Sequence, residues 1–274
     1  ACGREEEFTY SPVAEPKKVV VVGGGPAGME AARVARERGC EVVLFEKSSK
    51  LGGQWRLAAI PQKKEEIHGD VQWLIKSLSR TGVDVRLNTP ATVENVKAEN
   101  PDLIILATGA KPSMPDVSGV DLPHVVLAPE ALENPDSIGQ NVVVVGGGAT
   151  GLETAEYLAG QGRKVTVIEI LEDVGRTIGP ARKHFLMERL EELGVDLRVH
   201  TRLKEITPDG VEICCEEDEF IPADNVVIAT GVQSIRDLEG PLSSIAKVEV
   251  IGDAKEPRQA TEAFYEAHVV ARSI

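Results

Sequence analysis

Three glycines, Gly23, Gly25 and Gly28, followed by a carboxylate at Glu46, recur as Gly146, Gly148, Gly151 and Glu169, every member displaced by 123 positions. Glycines at this spacing do one kind of chemistry well: they hold a pyrophosphate. The first (Gly23, Gly146) permits a tight turn off a strand. The second (Gly25, Gly148) lets backbone approach phosphate oxygens with no Cβ in the way, and the third (Gly28, Gly151) lets helix and strand pack closely. The anion then rests on a helix N-terminus, where unpaired N–H groups and the positive end of the helix dipole stabilise it. Each acid lies 23 residues after its first glycine, where a carboxylate accepts hydrogen bonds from ribose hydroxyls.

The elements that position these residues read directly from the chain. VVVVGGGPAGMEAARVARERGCEVVLFE, from Val19 to Glu46, returns as VVVVGGGATGLETAEYLAGQGRKVTVIE, from Val142 to Glu169, without insertion or deletion. Each copy is a valine run suited to a buried parallel strand, a glycine turn, an amphipathic helix and a second strand ending in an acid. A lone glycine fingerprint is a weak signal; nested twice in strand, helix, strand and acid, it predicts two bound dinucleotides. A second repeat supports the first: PDLIILATGA (Pro101 to Ala110) is echoed by ADNVVIATGV (Ala223 to Val232), 122 positions later. Near the end, VEVIGDA (Val248 to Ala254) delivers Asp253 just past Gly252.

Composition bounds the rest. The 274 residues are 42% hydrophobic and 27% charged, enough for two modest cores. The net charge of -14 disfavours nucleic acid or an anionic membrane as partner, but not anionic nucleotides held by local amides. No apolar run approaches the roughly 20 residues needed to span a bilayer and no basic-then-apolar leader precedes the first strand, so the expected location is cytoplasmic. The four cysteines contain no C-x-x-C, so a thioredoxin-reductase-like redox disulfide is not expected. Cys40 reads as structural, and vicinal Cys214 and Cys215, on opposite faces of a strand, are poor joint metal ligands. His68, His124, His184, His200 and His268 form no metal-ligand or nucleophile pattern, and no catalytic side chain is expected.

The runs ACGREE (Ala1 to Glu6), VVVVGGGPAGMEAA, KSSKLGGQWRLAAIP (Lys47 to Pro61), ILATGAKP, GGGATGLE and VIGDAKEPRQATEAF together resemble the C-terminal portion of iron-sulfur flavoenzymes typified by 2,4-dienoyl-CoA reductase, trimethylamine dehydrogenase and related enoate reductases. The resemblance covers essentially the whole chain. It implies an α/β fold of two Rossmann-like three-layer dinucleotide-binding domains, the NAD domain inserted in the FAD domain. The expected boundaries are an arm over residues 1–16, an FAD-binding domain over 17–135 and 232–274, and an NAD(P)H-binding domain over 136–231. Helices are expected at Lys63 to Arg80, near Ala181 to Leu193, and from about Gln259.

For FAD the expected contacts are Gly23, Gly25, Pro26, Ala27, Gly28, Glu46, Lys47, Gly53, Gln54, Ala107, Thr108, Gly109, Gly252 and Asp253. Asp253 closes on a ribityl hydroxyl. For the nicotinamide dinucleotide they are Gly146, Gly148, Ala149, Thr150, Gly151, Glu169 and Gly231. A carboxylate at Glu169 accepts from a free 2′-hydroxyl and repels a 2′-phosphate, so NADH is expected over NADPH; Arg176, seven positions on, reads as a solvated loop charge. Cys2 resembles the last ligand of an iron-sulfur cluster whose other ligands, with an FMN-binding barrel, belong to a longer chain or a separate subunit. The implied activity is hydride transfer between NADH and FAD. Two alternatives stay open: an amine-dehydrogenase-type relative whose first module holds ADP structurally, and a nucleotide-binding assembly domain without redox activity.

Overall fold

A computed structural model describes Thr9 and residues 11–61, 64–215 and 217–274. Cys2, the acidic run at Glu5 to Glu7 and the expected helix start at Lys63 lie outside the described residues. In chain order the elements begin with β1 (Lys18–Val22), α1 (Pro26–Glu37), β2 (Glu41–Phe45), α2 (Gly53–Ala58), α3 (Glu65–Thr81), β3 (Asp84–Arg86), α4 (Val93–Ala98), β4 (Leu103–Leu106) and β5 (Ala110–Pro112). They continue with β6 (Val125–Leu127), α5 (Ala128–Glu133), β7 (Asn141–Val145), α6 (Ala149–Gly160), β8 (Lys164–Ile168), α7 (Pro180–Glu192), β9 (Asp196–Arg198), β10 (Arg202–Thr207), β11 (Gly210–Cys214), β12 (Asp218–Pro222), β13 (Asn225–Ile228) and β14 (Val232–Ser234). The chain closes with α8 (Glu239–Ser243), β15 (Lys247–Val250) and α9 (Ala260–Arg272).

Two compact units result. The first comprises Ala1–Ala59, Lys64–Lys111 and Gln233–Ile274; the second comprises Ile60–Lys63 and Pro112–Val232. The first holds a parallel sheet in the order β15-β4-β1-β2-β3, the second a parallel sheet in the order β6-β13-β7-β8-β9. β10-β11-β12 form an antiparallel meander, and β5 pairs with β14.

The valine runs sit at the centre of each sheet because both faces are covered. Val19 and Val21 pack under α1, α3 and α9, while Val20 and Val22 face the side of α4 and α8. In the second unit Val142 and Val144 meet α6 and α7, and Val143 and Val145 meet the meander through Leu203, Ile206, Val211 and Ile213. This is the period-2 alternation of a strand buried on both sides. Full burial of each such side chain contributes about 1.5–3 kcal/mol.

The repeat covers three strands of each sheet, β3 and β9 extend it at one edge, and the strand at the other edge is supplied differently. In the first sheet β15 comes from the far end of the chain and pairs with β4; in the second, β6 comes from just upstream and pairs Val125, Val126 and Leu127 with Val226, Val227 and Ile228. Residues 112–135, expected in the first domain, therefore lie in the second unit. A three-residue strand carries too little periodicity to declare its partner.

Candidate dinucleotide sites

The turn after β1 admits only glycine at two of its three fingerprint positions. A Cβ on Gly23, with φ at +110°, would stand 2.2 Å from the Ala107 carbonyl oxygen, and one on Gly28 would stand 1.9 Å from the Gly23 carbonyl oxygen. Gly25 differs. Its φ of -75° suits any residue, and an added Cβ meets nothing within 4 Å. Neither sterics nor backbone conformation explains glycine there, so the bare position faces outward, where an approaching molecule would need it.

Gly25 is also the N-cap of α1, which has no side-chain cap, Pro26 at its start and no acid in its first turn. In α4, by contrast, Thr92 and Asn95 close the N-terminus with a reciprocal capping box. The leading amides of α1 are thus left for an anion.

The other expected residues of the first module gather around this helix start. Gly52 N–H donates to the Gly24 carbonyl at 2.8 Å, and a Cβ on Gly53 would lie 3.2 Å from Gly25 Cα. Gln54 Nε2 donates to the Ala110 carbonyl at 3.1 Å, and Thr108 Oγ1 to the Ile235 carbonyl at 2.5 Å, which fixes Ala107, Thr108 and Gly109 at the end of β4. Glu46 is 8% exposed, and its two oxygens accept the N–H groups of Gly24 and Ser48, each at 2.7 Å. Each oxygen keeps capacity for a further donor such as a ribose hydroxyl. Lys47 beside it is exposed.

Asp253 lies in a single 3-10 turn, Gly252–Ala254, half-buried. Burial pushes its carboxyl above the ordinary range, offset in part by the Arg258 N–H at 3.3 Å. One residue of this region escaped the sequence reading: Glu266, which accepts the Gly252 N–H at 2.9 Å, Lys255 Nζ at 2.8 Å and Arg258 Nη2 at 2.5 Å. Burial alone would raise its carboxyl, but these donors hold it below the usual carboxylate range. Among 44 acids, one on a surface-patterned helix carried no signal that it would anchor this turn.

The second module repeats the geometry. A Cβ on Gly146 would stand 2.4 Å from the Ala229 carbonyl oxygen and one on Gly151 1.9 Å from the Gly146 carbonyl oxygen, while one on Gly148 meets nothing within 4 Å. Helix α6 starts at Ala149 and Thr150 with no side-chain cap and no acid in its first turn. Glu169 accepts Gly147 N–H at 2.7 Å and Leu171 N–H at 2.9 Å. Gly231, with φ at +98°, accepts the Ser113 N–H at 2.9 Å.

The correspondence runs further than the sequence repeat. Gly175 N–H donates to the Gly147 carbonyl at 2.7 Å, as Gly52 does to Gly24, so Arg176 stands where the first module has Gly53. The exposed Arg176 therefore sits next to the second glycine loop. Beyond Glu169 the chain exposes Ile170 (51%) and Leu171 (45%) where the first module has Lys47 and Ser48. Nearby cations on α7 are engaged: Arg182 with Glu153, and Lys183 with Asp173 at 2.6 Å.

Among the described residues no group of three or more His, Cys, Asp or Glu side chains could hold a metal ion. Cys40 is fully buried, Cys214 ends β11, and Cys215 lies beyond the strand and is exposed. None of these three thiols is in the loops described above. No helix among the described residues is long and apolar enough to cross a membrane.

The family model for pyridine nucleotide-disulphide oxidoreductases matches residues 17–255. The chain belongs to that family. It is 40% identical over 256 residues to bilirubin reductase of Mediterraneibacter gnavus, covering 93% of this chain and 40% of the relative. It is likewise 40% identical over 266 residues to an NADH oxidase of Thermoanaerobacter brockii, covering 92% and 40%. A solved 2-naphthoyl-CoA reductase superposes with a TM-score of 0.93 at 34% identity, covering 97% of this chain and 41% of that one. The chain thus spans about two-fifths of the length of these proteins. The resemblance to the FAD- and NAD-binding portion of longer reductases holds, and the chain is a flavin- and nicotinamide-dependent oxidoreductase module.

Proposed function

We propose that the first unit binds FAD, that the second binds NADH, and that the chain passes a hydride from one to the other. The observation that carries this reading is the pair Gly25 and Gly148: at both, the protein's own packing leaves room for a side chain, and both stand at uncapped helix starts. FAD, when bound, supplies the two-electron chemistry. The protein binds, orients and excludes water. Gly23 to Gly28 with Gly53 and Gln54 hold the pyrophosphate and its flank, Glu46 takes the adenosine ribose, and Asp253 takes a ribityl hydroxyl. In the second unit Gly146 to Gly151 hold the nicotinamide dinucleotide and Glu169 takes its 2′-hydroxyl. Apolar Ile170 and Leu171 on that flank offer nothing to a 2′-phosphate, which supports NADH over NADPH.

In a longer enzyme, with the barrel and cluster region in the same chain or as a separate subunit, Cys2 would be one ligand of an iron-sulfur cluster, which together with FMN would supply the onward electron transfer to an unsaturated substrate. A cytoplasmic location is part of the same proposal.

The test is an absorbance spectrum of the purified, FAD-loaded protein before and after anaerobic NADH. Flavin bands that bleach with NADH, and more slowly with NADPH, are the expected result. A colourless protein that refuses FAD and releases ADP on denaturation would overturn it in favour of the amine-dehydrogenase-type alternative, and one that binds nucleotide but shows no flavin reduction by NADH would leave a nucleotide-binding assembly domain without redox activity.

A further inference from the structure

The stretch from Ile170 to Lys183, which follows Glu169, holds three cations: Arg176, Arg182 and Lys183. Two are engaged, Arg182 with Glu153 and Lys183 with Asp173 at 2.6 Å. Arg176 is exposed, and among the described residues its guanidinium makes no ion pair or hydrogen bond. Its charge reaches Asp173, whose carboxyl is held below the usual carboxylate range first by Lys183 and to a lesser degree by Arg176. The main chain fixes where this cation starts. Gly175 N–H donates to the Gly147 carbonyl at 2.7 Å, so Arg176 leaves the backbone beside the second glycine loop. Its solvated, flexible stem has no bond to break before it turns to an anion there.

The two glycine loops are flanked differently. In the first unit α2 begins at Gly53, and a Cβ there would lie 3.2 Å from Gly25 Cα, so packed backbone stands against the loop. In the second unit α7 starts only at Pro180, and a Cβ on Gly175 would meet Leu152 and Ile178, at 3.1 and 3.2 Å, and not Gly148. That flank offers a side chain, Arg176, in place of backbone. The first turn of α6 holds no acid to compete for it, and a guanidinium takes phosphate oxygens through paired charge-assisted hydrogen bonds. We propose that Arg176 pairs with the pyrophosphate of the dinucleotide bound in the second unit, and so sets its affinity whether or not the ribose carries a 2′-phosphate. This rests on the reading that the second unit binds a nicotinamide dinucleotide, and adds the residue that makes the binding charge-dependent. A side chain that opens and closes suits a dinucleotide that exchanges at each turnover; packed backbone suits one that stays.

The experiment titrates purified protein calorimetrically with ADP-ribose, which carries the pyrophosphate and no nicotinamide, and with its 2′-phosphorylated form, at several salt concentrations. The variants are Arg176→Gln, Arg176→Lys and Gly148→Ala, the last assigning the binding to the second loop. The expected result is that Arg176→Gln weakens both ligands by the same factor, about tenfold, the loss of one charged contact to a bound phosphate. The dependence of affinity on salt flattens in that variant, and Arg176→Lys recovers part of the loss, since the charge returns without the fork. Affinities unchanged in Arg176→Gln overturn the proposal while the dinucleotide reading stands. A loss confined to the 2′-phosphorylated ligand also overturns it, because Arg176 then serves the ribose end. Wild-type protein that binds neither ligand, or binding that survives intact in Gly148→Ala, overturns the reading of the second unit together with the proposal.

Discussion

A Cβ built on Gly252 would stand 2.9 Å from the Cβ of Ala27, so the turn that presents Asp253 abuts the first turn of the glycine-loop helix. These residues are 225 positions apart in the chain, 252 less 27. The contact sets the turn that carries Asp253 beside the start of α1.

The glycine loops give the sharpest test. Gly25→Ala and Gly148→Ala put a methyl into open space at φ values that alanine adopts freely, so ligand-free protein should melt at the wild-type temperature or slightly above, by about 0.4–1 kcal/mol of stability. Flavin retention in the first variant and NADH binding in the second should fall by an order of magnitude or more. Gly28→Ala, which drives a Cβ to within 1.9 Å of a carbonyl oxygen, should fail to fold normally. Equal melting losses in Gly25→Ala and Gly28→Ala would contradict the claim that only a ligand needs Gly25.

Glu169 holds two backbone amides and, in the proposed function, selects the dinucleotide, and the two roles separate by variant. Its carboxylate holds the Gly147 and Leu171 amides. Glu169→Gln keeps one acceptor oxygen, so its melting temperature should drop by a few degrees at most, near 1 kcal/mol. Removal of the charge should narrow the preference for NADH over NADPH by about tenfold in paired stopped-flow titrations of flavin reduction. A preference that survives intact would assign the selection to other residues.

Asp253 and Glu266 titrate in opposite senses. Burial raises the Asp253 carboxyl, so the folded state binds more protons than the unfolded state just above the ordinary carboxylate range, and stability falls as pH rises through that window. Glu266 is held low, so its contribution is present above the ordinary range and is lost as pH falls through its folded value. Asp253→Asn should therefore raise the melting temperature of ligand-free protein at pH 7, by roughly 1–3 °C, while weakening FAD. Glu266→Gln should lower the melting temperature at pH 7, and by progressively less as the pH falls below the ordinary carboxylate range. Thermal melts from pH 3 to 8 check both signs.

Thiol reactivity should rank by environment. Burial pushes the Cys40 thiol up and hides it, whereas Cys215 is exposed past the end of β11. Peptide mapping after iodoacetamide should find Cys215 modified in native protein and Cys40 modified only after unfolding. Early labelling of Cys40 would mean that the layer around α1 opens locally.

What the sequence by itself determined was local and periodic. Two copies of a strand, a glycine turn, a helix and an acid were legible because each is encoded within thirty or so residues, by valine runs, by glycines where backbone crowds backbone, and by helical spacing of apolar side chains such as Val71, Leu74 and Leu78 in α3. The glycines and acids of both turns were legible as candidate site residues for the same reason, whereas Gly53, Gln54 and Asp253 were expected from the resemblance. Tertiary structure decided whatever depends on partners distant in the chain. β6 joins the second sheet only because its three residues pair with β13, and Glu266 matters only because α9 brings it to Gly252. Arg176 read as an ordinary loop charge until the Gly175 to Gly147 hydrogen bond set it beside the second glycine loop. Periodicity reports which face of an element is buried; it does not report what covers that face, and that second fact turns a pattern into a site.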